Sequence, residues 1–150
     1  NTVEATIQLG FSPNSFEEEN GILYVLGSEK IAKINLATNI IVGTPITVAE
    51  STSAGAKNLN IEDNKIYYTV DTAVYAMAIN ATAAPTAPLL TYQSQSLNGR
   101  MYGFAVNDGK IYIADAGDFA SDSKAYIYST TGSLLSTITV GVGPNGFYFN

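Results

Sequence analysis

Asn64-Lys-Ile-Tyr-Tyr-Thr69 has two counterparts in the chain, Asn20-Gly-Ile-Leu-Tyr-Val25 and Gly109-Lys-Ile-Tyr-Ile-Ala114. Aligning them on Leu23-Tyr24, Ile66-Tyr67 and Ile111-Tyr112 gives spacings of 43 and 45 residues. A second set of positions keeps the same beat: Phe16, Leu59, Phe104 and Phe147 are separated by 43, 45 and 43 residues. A period of about 40–45 residues built from short strands is the sequence signature of propeller blades.

Each repeat reads as four strands, A to D. Strand A is Phe16–Glu19, Asn58–Glu62 and Gly103–Asn107. The turns that follow, Asn20-Gly21, Asp63-Asn64 and Asp108-Gly109, carry the residues that tolerate the positive φ of tight hairpins. Strand B is Ile22–Leu26, Lys65–Val70 and Lys110–Ala114, and strand C is Ile31–Leu36, Ala73–Ile79 and Ala125–Ser129. Strand D is Ile40–Val48, Leu89–Gln93 and Leu134–Val140. Ala-rich Ala76–Ala84 is the nearest thing to a helix, but Val74-Tyr75 before it and Pro85 within the next loop favour strand then loop. The expected fold is all-β: a β-propeller segment over residues 1–150 with blades at about 16–58, 59–103 and 104–146.

The two ends echo one another. Thr6-Ile-Gln-Leu-Gly-Phe-Ser-Pro-Asn-Ser-Phe16 aligns without a gap on Thr137–Phe147 at an offset of 131 residues. Val3–Leu9 therefore reads as a strand D lacking its own A, B and C, and 147–150 as a closing inner strand A lacking B, C and D. A blade completed from both termini would still lack two strands. The expectation is roughly half of a larger ring, whose remaining blades cover the apolar faces left at either side. A short three-repeat protein is the alternative.

Composition narrows the partners. Charged residues are 13% of the chain, against about 25% in an average soluble domain. The net charge is −6 and Arg100 is the one arginine, which argues against nucleic acid, whose phosphates need clustered Lys and Arg. The chain has no cysteine and no histidine, so thiolate chemistry, thiolate metal sites and the commonest general base are missing. No run approaches the ~18 apolar residues of a membrane-spanning helix.

Two groups of residues are candidates for chemistry. In a propeller the B–C and D–A loops share one face of the disc. From the D–A loops that face collects Asn14, Lys57, Arg100, Tyr102 and Asn145, and from the B–C loops Asp71 and Phe119. Asn14, Lys57, Tyr102 and Asn145 fall at equivalent positions, two before Phe16, Leu59, Phe104 and Phe147, and are expected to ring the channel mouth. Mixed aromatic, amide and charged groups on a rigid scaffold suit a polar small molecule; ordinary loop polarity is the competing reading. The second group is the acidic loop holding Asp115, Asp118 and Asp122, a candidate site for a hard cation such as Ca²⁺. Its spacing matches no EF-hand, and Asp side chains capping their own turns explain it equally. No other cofactor is expected. The run Glu17-Glu-Glu19 lies in an inner strand, where a wet channel lining or a catalytic carboxylate pair are the two readings. Tyr24, Tyr67 and Tyr112 recur at one phase of strand B and are expected to pack between blades.

The repeats, Asp115-Ala-Gly-Asp-Phe119 followed by Ala125-Tyr-Ile-Tyr128, and the terminal Gly143-Pro-Asn-Gly-Phe-Tyr-Phe149 together resemble the C-terminal half of YncE-like seven-bladed propellers, in particular those of Bacteroidota surface lipoproteins. The resemblance implies an extracytoplasmic binding or scaffold protein, at the cell surface or anchored to the outer membrane, and not an enzyme. It also implies an accessory role beside an outer-membrane nutrient transporter, with small-molecule capture and corrinoids as one ligand class. The alternatives are a structural subunit docked on a membrane transport or secretion complex, and a propeller hydrolase or lactonase with a metal site.

Overall fold

The computed structural model describes residues 2–48, 55–97 and 99–150. Among these residues there is no helix. The strands form three antiparallel sheets, each a meander of consecutive strands. The first contains β1 (Pro13–Glu19), β2 (Ile22–Gly27), β3 (Lys30–Asn35), β4 (Ile40–Ile41) and β5 (Ile46–Thr47), the last two both pairing with β3. The second contains β6 (Ala56–Glu62), β7 (Lys65–Val70), β8 (Ala73–Ala78) and β9 (Leu90–Thr91). The third contains β10 (Met101–Asn107), β11 (Lys110–Asp115), β12 (Ser123–Ser129) and β13 (Leu134–Val140).

The A–B hairpins close as the turn residues require. Both central residues have positive φ in each: 52° and 77° at Asn20-Gly21, 49° and 59° at Asp63-Asn64, 51° and 68° at Asp108-Gly109. That is the type I′ pattern, whose twist matches the flanking strands.

Strand alternation then sends successive side chains to opposite sheet faces. Tyr24 and Leu26 of β2 meet Ile66, Tyr68 and Val70 of β7 in one core between the first and second sheets. Tyr67, on the other face of β7, joins Ile111, Ile113, Tyr126 and Tyr128 in a second core between the second and third sheets. Tyr112 repeats the position once more and packs on Phe147 and Phe149, with ring centroids 5.4 and 4.9 Å away. Tyr24 and Tyr67 are thus blade-to-blade packing residues, and Tyr112 packs on the terminal segment. Burying each large apolar side chain is worth about 1.5–3 kcal/mol, while a hydrogen bond nets about 1 kcal/mol. The apolar layers therefore hold the sheets together, and polar links between sheets fix how they align.

The expected strands differ from the observed ones at the outer and terminal positions. Ile40–Val48 is split into β4 and β5, because Gly43 at φ 70° and Pro45 interrupt the ladder. Leu89–Gln93 shortens to β9. Val3–Leu9 forms no strand, since a strand D needs a strand C beside it and these residues have none. Phe147–Asn150 likewise forms no strand, having no strand B to pair with, yet its two phenylalanines still cover Tyr112. Gly103 permits this approach: a Cβ there would lie 2.7 Å from the backbone of Asn145 and Gly146.

Candidate functional site

In a four-stranded meander the start of strand A, the end of B, the start of C and the end of D fall at one edge. The pairings Pro13↔Gly27 and Met101↔Asp115 place the D–A junctions directly beside the B–C loops. All the candidate ligand and cation residues lie along this edge, spread over three blades.

Each strand A begins with a bulge. The register slips between Pro13 and Ser15, between Lys57 and Asn60, and between Met101 and Gly103. A bulge leaves a residue unpaired and re-aims its side chain. Asn14 and Tyr102 are those residues in the first and third blades. Asn14 uses its amide internally, donating from Nδ2 to Ala56 O at 2.9 Å and so linking the first blade to the second. Lys57 is exposed; its carbonyl accepts Thr69 Oγ1–H at 3.1 Å. Asp71 sits in the β7–β8 turn at φ 52°, on a different blade from the acidic loop.

The third blade gathers the rest. Arg100 O accepts Ala116 N–H at 3.1 Å, joining the D–A junction to the long B–C loop. Tyr102 and Phe119 then meet edge-to-face, with centroids 5.2 Å apart and planes at 88°. Both remain about half exposed, at 51% and 48%. Phe119 has φ 60°, a left-handed conformation that is unusual for a bulky residue and costs about 1–3 kcal/mol. Leaving two large rings half in water forfeits a further ~1–3 kcal/mol of burial. The backbone holds the pair out at an energetic cost. Asn145 lies beside Gly103, immediately after Tyr102, and Gly143 comes close to the Phe119 ring.

The three loop aspartates do different jobs. Asp115 is buried, and its Oδ1 accepts Gly117 N–H at 3.1 Å. Asp118 is exposed and caps the turn, its Oδ1 accepting Ala120 N–H at 2.9 Å and Ser121 N–H at 2.8 Å. The Ser121 and Ala120 N–H groups hold its carboxyl below the usual carboxylate range. Asp122 is exposed. Among the described residues no three acidic groups come together as a metal-binding set. The self-capping reading accounts for Asp118.

The inner-strand glutamates are likewise committed. Glu17 Oε2 accepts Ile61 N–H at 2.9 Å and Asn60 Nδ2–H at 3.1 Å. Glu18 Oε1 accepts Gly21 N–H at 2.6 Å and closes its own hairpin, and Glu19 Oε1 accepts Asn20 Nδ2–H at 3.0 Å. Strand alternation puts Glu17 and Glu19 on one face and Glu18 on the other, and each of the three carboxylates accepts a hydrogen bond within the chain.

Two features escaped the sequence reading. One is the pairing of Tyr102 with Phe119, for which the only signal was a bulky residue inside a Gly/Asp/Ser turn. The other is a buried phenol group around Asp115. Tyr92 and Tyr126 pack at 5.6 Å between centroids, and neither hydroxyl has a hydrogen-bond partner among the described residues. Burial, then the Asp115 charge, pushes both phenols above their ordinary value. Nothing in the sequence placed Tyr92, in the second strand D, beside a loop of the third blade.

No family model matches the sequence, and no curated protein matches it. Solved structures do. A quinonprotein alcohol dehydrogenase-like protein from Bacteroides thetaiotaomicron superposes with a TM-score of 0.60 at 18% identity, over 81% of this chain and 32% of its own. The fold is a β-propeller fold. Kluyveromyces lactis Hsv2 matches with a TM-score of 0.59 at 7% identity, over 95% of this chain and 43% of its own. Kuenenia stuttgartiensis hydrazine synthase matches with a TM-score of 0.55 at 9% identity, over 81% of this chain and 34% of its own. The chain therefore spans less than half the length of each of these three structures, and at these identities the likeness is one of fold.

Proposed function

We propose that this chain is a sector of an extracytoplasmic propeller that binds a small molecule without transforming it, on the edge where the B–C and D–A loops meet. The observation that carries this reading is the Tyr102–Phe119 pair, held half exposed by a bulge on one side and a left-handed residue on the other. Irregular backbone kept at a cost on a rigid scaffold marks a place that works on something outside the chain. The carboxylates that would serve an enzyme instead cap turns and link blades, and histidine is absent. The apolar side chains left exposed on the outer sheets, Phe16 at one side and Ile138 at the other, fit burial against further blades. The YncE-like, surface-lipoprotein setting follows from the sequence resemblance, and capture for an outer-membrane transporter is the role it favours.

The test is a titration of the isotope-labelled chain with tetramethylammonium, methyl glucoside, benzoate and cyanocobalamin, followed by NMR. The reading expects at least one probe to shift resonances of Tyr102, Phe119 and their loop neighbours. Shifts confined to the opposite edge, or none at millimolar probe, would overturn it.

A further inference from the structure

A buried hydroxyl ties the Phe119 loop to the terminal segment. The B–C turns of the first two blades have two residues each, while that of the third has seven, from Ala116 to Asp122. Ser123, the first residue of β12, lies at the base of this loop and is 2% exposed. Its Oγ–H donates to Ala116 O at 3.2 Å, and its Oγ accepts Gly143 N–H at 3.2 Å. A hydroxyl has one proton to give and lone pairs to receive, so both bonds form at once. Ala116 O also accepts Phe119 N–H at 3.1 Å. One polar chain therefore runs from Gly143 through Ser123 and Ala116 to Phe119, and bonds in such a chain strengthen one another.

We propose that Ser123 is a latch that couples docking of the terminal segment to the order of the Phe119 loop, so that whatever engages residues 143–149 is felt at the Tyr102–Phe119 edge.

The contacts at both ends of the chain of bonds agree. Phe119 has φ 60°, and a strained backbone persists only where its surroundings hold it. Ser123 supplies such a hold from outside the loop. On the other side, the segment that starts at Gly143 rests on the third blade at two further places: Asn145 and Gly146 lie against Gly103, and Phe147 and Phe149 cover Tyr112. Segment and loop also come close directly, since a Cβ on Gly143 would lie 3.6 Å from the Phe119 ring. Lifting the segment removes the N–H that occupies the acceptor side of Ser123 Oγ, and frees its proton to turn away from Ala116 O. The coupling is a property of the unliganded chain and does not depend on the binding reading.

The experiment follows amide exchange by NMR, without ligand, in the parent, in Ser123→Ala, in the pair Phe147→Ala with Phe149→Ala, and in all three substitutions combined. Removing the two rings frees the segment from Tyr112 without touching the loop. The reporters are the amides of Ala116, Phe119 and Gly143. The phenylalanine pair is expected to quicken exchange at Gly143 and, about three- to tenfold, at Ala116 and Phe119, a change the size of one hydrogen bond. Ser123→Ala should quicken all three by a similar factor. The combination should quicken Ala116 and Phe119 no further than Ser123→Ala alone, because the connection is already cut. Unchanged exchange at Ala116 and Phe119 in either variant would overturn the latch. Additive effects in the combination would overturn it too, leaving Ser123 a local support. The ligand titration described above plays no part in these measurements, so either reading can fail without the other.

Discussion

Glu17 and Asn60 occupy the same position in successive inner strands, 43 residues apart, and each holds a backbone N–H of the next blade. Glu17 Oε2 accepts Ile61 N–H at 2.9 Å, and Asn60 Oδ1 accepts Val106 N–H at 3.1 Å. Asn60 does both at once, since its Nδ2–H also donates to Glu17 Oε2 at 3.1 Å. The result is a polar thread along the inner strands. The residue at the third equivalent position is Ala105, which has no side-chain acceptor to offer the segment that follows.

Glu17→Ala should destabilise the chain by about 1–3 kcal/mol, because it strands a partly buried N–H and an amide that lose their shared acceptor. Glu17→Gln keeps a carbonyl oxygen and should cost less than half as much. Urea unfolding of the two variants checks this. Equal stability of Glu17→Ala and the parent would assign the carboxylate to solvent instead of to the blade junction.

Gly103→Ala should destabilise by about 1–3 kcal/mol through overpacking. The added Cβ would lie 2.7 Å from backbone atoms of Asn145 and Gly146, which cannot swing aside like a flexible side chain. The terminal segment is expected to lift, and with it Phe147 and Phe149 from Tyr112. Loss of the Phe147–Tyr112 cross-peaks in an NMR spectrum is the specific readout. A destabilised variant that keeps those cross-peaks would show that the strain is relieved elsewhere.

Lys33 ties the first blade to the outer loop of the second. Its Nζ donates to Ile79 O at 2.7 Å and to Ala81 O at 3.0 Å, while sitting 5.9 Å from the Tyr24 ring. Lys33→Met retains the apolar stem but leaves two carbonyls unpaired, so a loss of about 1–2 kcal/mol is expected. Amide exchange should quicken around 79–84 and stay unchanged in β10–β13. Uniform quickening throughout would mean that the lysine supports the whole chain and not this one junction.

The blades were legible in the sequence because their signals are local. A hairpin turn with two positive-φ residues and an alternating strand can be recognised within ten residues, and the repeat multiplies each signal threefold. Strand D of the first blade was misread because Gly43 and Pro45 act on ladder geometry that hydrophobicity alone does not reveal. The site was legible only as a set of loops. Asn14 and Tyr102 share a position and a bulge, yet one is spent on Ala56 O and the other stays exposed. That divergence depends on which neighbour faces each bulge, and neighbours separated by a blade are invisible to a pattern of spacings. Glu17 looked chemical for the same reason: its partners lie 43 and 44 residues away.

Alkaline pH should unfold this protein earlier than its core size suggests, and Tyr92 is the main reason. Its ring is buried at 2% exposure, its hydroxyl has no hydrogen-bond partner among the described residues, and burial together with the charge of Asp115 raises its pKa above the ordinary value near 10. Below pH 10 the phenol is neutral in both states, so its contribution is complete. Above pH 10 the unfolded chain releases the proton while the folded chain retains it, so stability falls with rising pH. Tyr24, Tyr67, Tyr126 and Tyr128 are shifted the same way by burial and add to the slope. Tyr92→Phe should flatten the decline. At pH 7 it should leave stability equal or slightly higher, because it removes an unpaired polar atom and little else. Thermal melts of both proteins from pH 8 to 11 measure the difference. A variant less stable at pH 7 by more than about 1 kcal/mol would mean that the Tyr92 hydroxyl has a hydrogen-bonded partner in solution, with a buried water between it and Asp115 the first to look for.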